Sequence, residues 1–400
     1  MIDSDLSSRF KSTRSYTEEL CAPLRTEDYV PQADFFTSPT KWHLAHTTWF
    51  FEEMVLKHHL ADYRIFHRDF SFLFNSYYNT IGERTLRKER GLITRPSVEE
   101  VYAYRKHVDH FMRVLLESNL STQVKEIIVL GLNHEQQHQE LLLTDLKYTL
   151  FLNPTFPVYK EGFNLTNTES KDTGFLKMDE GIYEIGYQGE DFCFDNELGR
   201  HKVFLHKFEI SKKLITKGEY LEFVNSGGYR DFKYWLDEGW AWVNENKKQA
   251  PLYWKYIDGQ WFEYTLSGLK PLEMEAELCN VSYYEAAAFA TWKEMRLPTE
   301  FEWEAASSHL NWGSRWEWTG SAYLAYPNFK IAVGAVGEYN GKFMINQMVL
   351  RGASLAFSGG TRPATKRKGR RLGSSAAQTV TSVICWVSGM LRNQAGRSKD

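Results

Sequence analysis

Near residue 155 the hydrophobic period of the chain changes, and that change divides what the two parts can fold into. Before it, apolar residues recur at helical spacing over long stretches. The pattern predicts a first helix over residues 6–24. A second starts at Ser38-Pro39, with Ser38 as N-cap and Pro39 at the first helical position, and carries KWHLAHTTWFFEEMVLKHHL. A long loop follows, FHRDFSFLFNSYYNTIGERTLRKERGLITRP. Ser97-Val-Glu-Glu100 is a capping box that opens a third helix, through about residue 116. A fourth opens near Ser121 and runs through NHEQQHQELLLTDLKYTLFL. Four helices of these lengths predict an up-down bundle over residues 1–155. Pro154, Pro157 and a polar run mark a linker over 156–174. From 175 to 356, short strands, Gly turns and Trp dominate. Helices are expected only at 216–224 and 282–295, plus a short one after the Thr299–Glu302 capping box. This second region reads as an irregular α+β domain.

The 42% hydrophobic and 15% aromatic content is enough for real cores, and most of the 13 Trp fall after residue 230. A net charge of −3 argues against a nucleic-acid or anionic-membrane partner. The imbalance is local: residues 351–400 hold ten Lys/Arg against one acid, Asp400. Residues 357–400 are therefore an atypical basic tail, expected to be disordered and solvated or frame-altered. The four cysteines form no CxxC pair, which excludes a zinc ribbon or a thioredoxin-like motif and fits reduced thiols in a cytoplasmic protein. MIDSDLSSRFKST has no apolar core and does not read as a secretory signal. The apolar run at 380–391 is too short to span a bilayer.

His134 and His138, at i and i+4, leave the fourth helix about 40° apart and one turn from each other, a common start to a metal site. Glu140 points about 240° from His134 and cannot complete the set. The second helix offers His43 and His46, and a bundle can bring one of them against the pair. Three neutral imidazoles suit zinc, iron or copper and leave coordination positions open. Gln137, about 60° from His134, lies on the metal side as a polar neighbour.

SPTKWHLAHTTWFFE followed by NHEQQHQE resembles the DinB-like half of the ergothioneine-biosynthesis sulfoxide synthases. CNVSYYEAAAFATW, RLPTEFEWEAA, WEWTGSAY, YPNF, GEYNGKF and MVLRGAS resemble the formylglycine-generating-enzyme/C-type-lectin-like half of that family, so the resemblance covers about residues 35–356. It implies a DinB-like four-helix bundle, then an irregular α+β domain. It also implies iron(II) held by His46, His134 and His138, with His46 chosen over His43 as the last residue of L-A-H. The implied substrates are hercynine (trimethylhistidine), O2 and cysteine or γ-glutamylcysteine. The implied product carries a C–S bond at the imidazole, with the sulfur as sulfoxide. By the same resemblance Tyr77 and Tyr78 of NSYYNTIGER donate a proton that favours coupling over thiol oxidation to sulfinate; Tyr339 of GEYNGKF is the alternative donor.

The substrate carboxylate calls for a fixed cation, and Arg84, Arg87 and Arg90 follow the tyrosines, with Arg87 and Arg90 the expected pair. The chain departs from the family after MVLRGAS, where the R-N-F-F-P-like and W-x-F-x-G-x-R segments are replaced by FSGGTRPATKRKGRRLGSS. Three other readings stay open. They are a selenoneine-type synthase using a selenium donor, a zinc-dependent DinB-like thiol transferase, and a non-catalytic binding protein built on the second domain.

Overall fold

The computed structural model describes residues 2–78, 81–163, 165, 173–190, 192–331 and 341–356, with three short strands at 367–371, 385–387 and 391–392. The chain divides into two compact units, one built mainly on Met1–Phe163 and one mainly on Asn164–Ala332 and Tyr339–Leu355.

Four long helices make the first unit: α1 (Ile2–Cys21), α2 (Thr40–Phe51), α3 (Val98–Leu116) and α4 (Thr122–Phe151). The third opens as predicted: Glu100 N–H donates to Ser97 Oγ (3.2 Å) and Ser97 N–H to Glu100 Oε2 (2.6 Å). Every residue of α2 is buried, so this helix is the centre of the bundle, packed on α3 and α4. A π-helical turn, Glu52–Leu56, continues it, and the buried Glu52 carboxylate there accepts from Tyr63 (2.5 Å) and Tyr104 (2.6 Å). Close approach of α2 and α4 needs Gly131, where a Cβ would lie 2.7 Å from the Phe51 ring and 2.8 Å from the Phe50 ring. The start of α2 differs from expectation. Pro39 is its N-cap and makes no side-chain cap bond, because Ser38 is committed elsewhere: its N–H donates to Asp145 Oδ2 (2.8 Å) and its hydroxyl accepts from Arg90 (2.9 Å).

A charged cluster lies inside the bundle. The Glu135 carboxylate on α4 accepts from Arg14 of α1 (2.9 Å), Arg105 of α3 (2.7 Å) and Thr17 of α1 (2.7 Å). Arg14 also donates to Asp109 of α3 (2.7 Å) and to Thr48 of α2 (3.0 Å), so all four helices meet in one network. Burial alone would raise the Glu135 pKa; the two guanidiniums outweigh it and hold the carboxyl down at about 2.

The second unit is aromatic and irregular. Strands β1 (Phe175–Met178) and β4 (Phe208–Ser211) pair antiparallel, as do β2 (Gly181–Ile185) and β3 (His201–Leu205). β5 (Trp254–Ile257), β6 (Gln260–Thr265) and β7 (Gly268–Pro271) form a meander. β8 (Met295–Arg296) is short, and β9 (Trp316–Ala322) pairs with β10 (Gln347–Gly352) in a register that puts Trp318 opposite Leu350. Helices α5 (Lys217–Asn225), α7 (Tyr283–Trp292) and α8 (Glu300–Ala306) lie where helices were expected; Thr299 caps the last as predicted, and Thr216 and Ser282, expected as helix starts, prove to be N-caps with capping boxes of their own. α6 (Asp237–Glu245) was not expected; its N-cap is Leu236, which offers no side-chain acceptor to signal it. Trp235, Trp242, Trp254, Trp316 and Trp318 share one core with Tyr220, Phe223 and Phe289, which accounts for the tryptophan content of this half. In the basic tail the backbone supplies β11 (Arg367–Arg371) beside β10, β12 (Cys385–Val387) beside β9, and β13 (Leu391–Arg392) between β4 and β8.

Two predictions follow from these buried charges. Replacing Glu135 with Ala removes the carboxylate shared by two buried arginines, leaves only the more exposed Asp109 and Glu18 beside them, and should cost about 2–4 kcal/mol in urea unfolding; a loss below about 1 kcal/mol would contradict the network. In the second unit burial pushes Glu317, which accepts from Trp303 (2.9 Å), up to about 8, with Glu277 adding to the effect. The fold thus prefers the protonated form, so stability from this group declines as pH rises from its ordinary carboxyl range towards about 8. Glu317→Gln should flatten that decline in thermal melts, and an unchanged pH profile would refute the assignment.

Candidate metal centre

α2 and α4 bring three imidazoles together in the first unit. One ligand atom from each of His46, His134 and His138 lies within 4.8 Å of the others. Ring centroids are 5.0 Å (His46–His134), 4.7 Å (His46–His138) and 4.6 Å (His134–His138) apart. The two α4 histidines converge because they sit one turn apart, and His46 meets them because buried α2 crosses the same face.

Hydrogen bonds fix which nitrogen is offered. His46 Nδ1 lies 2.6 Å from the Phe74 carbonyl, which can only accept, so Nδ1 carries the proton. Its Nε2 is then a bare lone pair, buried and with no hydrogen-bond partner among the described residues. A buried acceptor left this way is costly unless something completes it, and a divalent cation on three imidazoles does so. Burial pushes His134 down to about 4. Burial first, and then His134, holds His46 and His138 well below the usual imidazole range. All three are therefore neutral near pH 7, as metal ligands must be. The His46 ring is also gripped from both sides, stacked on Trp42 (4.4 Å, 16°) and on Trp49 (5.5 Å, 18°).

His43 is not part of the tripod. Its Nδ1 faces His138 Nδ1 at 2.9 Å and its Nε2 faces Asp145 Oδ2 at 3.2 Å. Neither this arrangement nor Asp145 emerged from the sequence. A signal was present: Asp145 follows His138 by seven residues, two helical turns, and so shares its face.

The tyrosine loop lies against α2. Tyr77 and Tyr78 stack (4.7 Å, 27°), and Tyr78 packs on Trp49 (5.5 Å), the residue that stacks on His46. Asn75 of the same motif, fully buried, pins the loop: it accepts from Tyr78 N–H (3.1 Å) and donates to the Tyr78 carbonyl (3.0 Å). Tyr339 lies outside the described residues.

Arg90 is buried, with its guanidinium 3.4 Å from the centre of the Trp42 ring, and donates to Ser38 (2.9 Å) and Ser76 (2.9 Å). Its Nε has no hydrogen-bond partner, and no carboxylate among the described residues forms an ion pair with it. Arg87 is mostly exposed and donates to the Phe36 carbonyl. Arg84 is exposed, and Gln137 is half-buried on α4 beside His138.

Alanine at position 46, 134 or 138 should abolish stoichiometric binding of a divalent metal, measured by anaerobic metal analysis, with far-UV helicity retained. Full metal occupancy in any of the three variants would exclude that residue as a ligand.

Residues 9–142 match the DinB superfamily and residues 163–354 the sulfatase-modifying factor enzyme 1-like domain. The chain is 31% identical over 177 residues to a hercynine oxygenase of Mycolicibacterium thermoresistibile, covering 44% of this chain and 38% of that protein. It is 28% identical over 185 residues to a hercynine oxygenase of Mycobacterium tuberculosis (45% and 42%). To the ergothioneine biosynthesis protein 1 of Schizosaccharomyces pombe it is 30% identical over 138 residues (34% and 15%). The match thus spans less than half the length of each of these relatives. Among the described residues no helix is long and apolar enough to cross a membrane. The chain joins a DinB-superfamily domain to a sulfatase-modifying factor enzyme 1-like domain, in agreement with its resemblance to the ergothioneine-biosynthesis sulfoxide synthases.

Proposed function

We propose that this chain is a cytoplasmic, non-haem iron(II)- and O2-dependent sulfoxide synthase of ergothioneine biosynthesis, joining hercynine to cysteine or γ-glutamylcysteine. The observation that carries the reading is the bare, buried Nε2 of His46 turned towards a pair of neutral histidines. Relatives named for hercynine oxygenation and for ergothioneine biosynthesis support the substrate class.

His46, His134 and His138 would hold iron(II), which when bound would supply Lewis acidity and redox chemistry for a thiol and O2. One O2 balances the reaction. One oxygen atom ends on sulfur; the other leaves as water, with the thiol hydrogen and the hydrogen of the substituted imidazole carbon. The chain's own groups bind and move protons. Arg90, a buried cation with no ion-paired carboxylate among the described residues, grips the carboxylate of the thiol substrate, with Arg87 beside it, and stacking on Trp42 fixes its plane. Gln137 serves as a polar neighbour on the metal-bearing helix. Tyr77 or Tyr78 donates a proton to the oxygen that leaves as water, which favours coupling over oxidation of the thiol to sulfinate.

Three neutral imidazoles would serve zinc as well, which gives a second reading: a thiol transferase that needs no O2. Anaerobic reconstitution with iron(II), then O2, hercynine and each thiol, with mass analysis, separates the two. The sulfoxide and matching O2 uptake are expected, and bound iron with no coupled product from any thiol or selenium donor would remove the proposal. Product formed by the zinc form without O2 uptake would favour the transferase. Tyr77→Phe or Tyr78→Phe should raise the share of cysteine sulfinate several-fold; an unchanged product ratio in both variants rejects the proton-donor role.

A further inference from the structure

The residue that the sequence offered as a rival ligand, His43, has both ring nitrogens engaged, and the order of those contacts is informative. Asp145 Oδ2 already accepts the Ser38 N–H at 2.8 Å and lies 3.2 Å from His43 Nε2. A carboxylate oxygen in that position accepts, so the proton between them sits on His43 Nε2. In a neutral ring Nδ1 is then bare, and it faces His138 Nδ1 at 2.9 Å. One of two nitrogens at that distance must donate, and only His138 Nδ1 can. The lone pair left on His138 is therefore on Nε2. The same outcome holds at His46, where the Phe74 carbonyl takes the Nδ1 proton. His43 and Asp145 are each 2% exposed, and Ser38 is 5% exposed, so water does not compete for the contacts among these three.

We propose that Asp145 and His43 are positioning residues that act through His138: the carboxylate orients His43, and His43 holds His138 in the Nδ1–H tautomer with Nε2 presented to the metal. Most metal-bound histidines have one outer partner, and here a second imidazole is interposed between ligand and carboxylate. The chain of hydrogen bonds carries the Asp145 charge towards His138 and strengthens its donor nitrogen. Ser38 fixes the far end and also accepts from Arg90, so the relay and the buried cation share one anchor.

The inference rests on the metal-site reading above, and its test is chosen so that the two can fail separately. Full-length protein is loaded with zinc(II), and affinity is measured by competition with a chelating indicator. Wild type should bind one metal and His134→Ala none; a wild type that binds no metal at this site removes the metal reading and the relay with it. Asp145→Asn and His43→Phe should each weaken affinity roughly 10–100-fold. The double variant should be no weaker than His43→Phe alone, because both act through one path. Unchanged affinity in both single variants, or losses that multiply in the double, would overturn the relay while leaving the tripod standing. A second measurement needs no variant. Nitrogen-15 histidine spectra of the zinc-loaded wild type should show His43 as the Nε2–H tautomer and His138 protonated at Nδ1. The opposite tautomer at either ring contradicts the proposal.

Discussion

The carboxylate of Glu135 is the point on which the first unit turns. It is fully buried and one residue from His134. It receives two guanidiniums and a hydroxyl from the neighbouring helices, and Arg14 extends the network to α2. Charges buried this deeply are tolerated only when each is matched, so the network selects one relative placement of the four helices. That placement sets α2 against α4 at the separation Gly131 permits, and it turns the His134–His138 face towards His46. The placement of the three imidazoles is thus a consequence of helix packing that is specified electrostatically beside them.

Around the tripod the same economy recurs. Two indoles clasp the His46 ring. One of them, Trp42, carries the Arg90 guanidinium, and the other, Trp49, carries Tyr78. The cation proposed for the substrate carboxylate and the tyrosine proposed for proton delivery each reach His46 through a single aromatic ring. Stacking of this kind fixes orientation without adding polar groups that would compete for the metal.

Much of this was legible in the sequence where the signal is local. The i, i+4 histidines, the capping boxes at Ser97 and Thr299 and the helix starts at Thr216 and Ser282 depend only on helical periodicity and on short-range hydrogen bonds, and the structure contains each of them. What escaped depends on tertiary partners. Ser38 reads as an N-cap until Asp145 and Arg90 claim it. The α6 helix starts at Leu236 and is held by burial of Trp242 and Val243, which leaves no capping signature. His43 and His46 are indistinguishable by spacing alone. The carbonyl of Phe74 and the carboxylate of Asp145, distant in sequence, decide which one turns its lone pair to the site.

X-ray absorption at the iron edge of the iron(II)-loaded protein counts the imidazoles around the metal. Three imidazoles with light-atom ligands completing the shell are predicted, falling to two in His46→Ala. A shell with fewer than three imidazoles in the wild type, or one unchanged by loss of His46, would contradict the account.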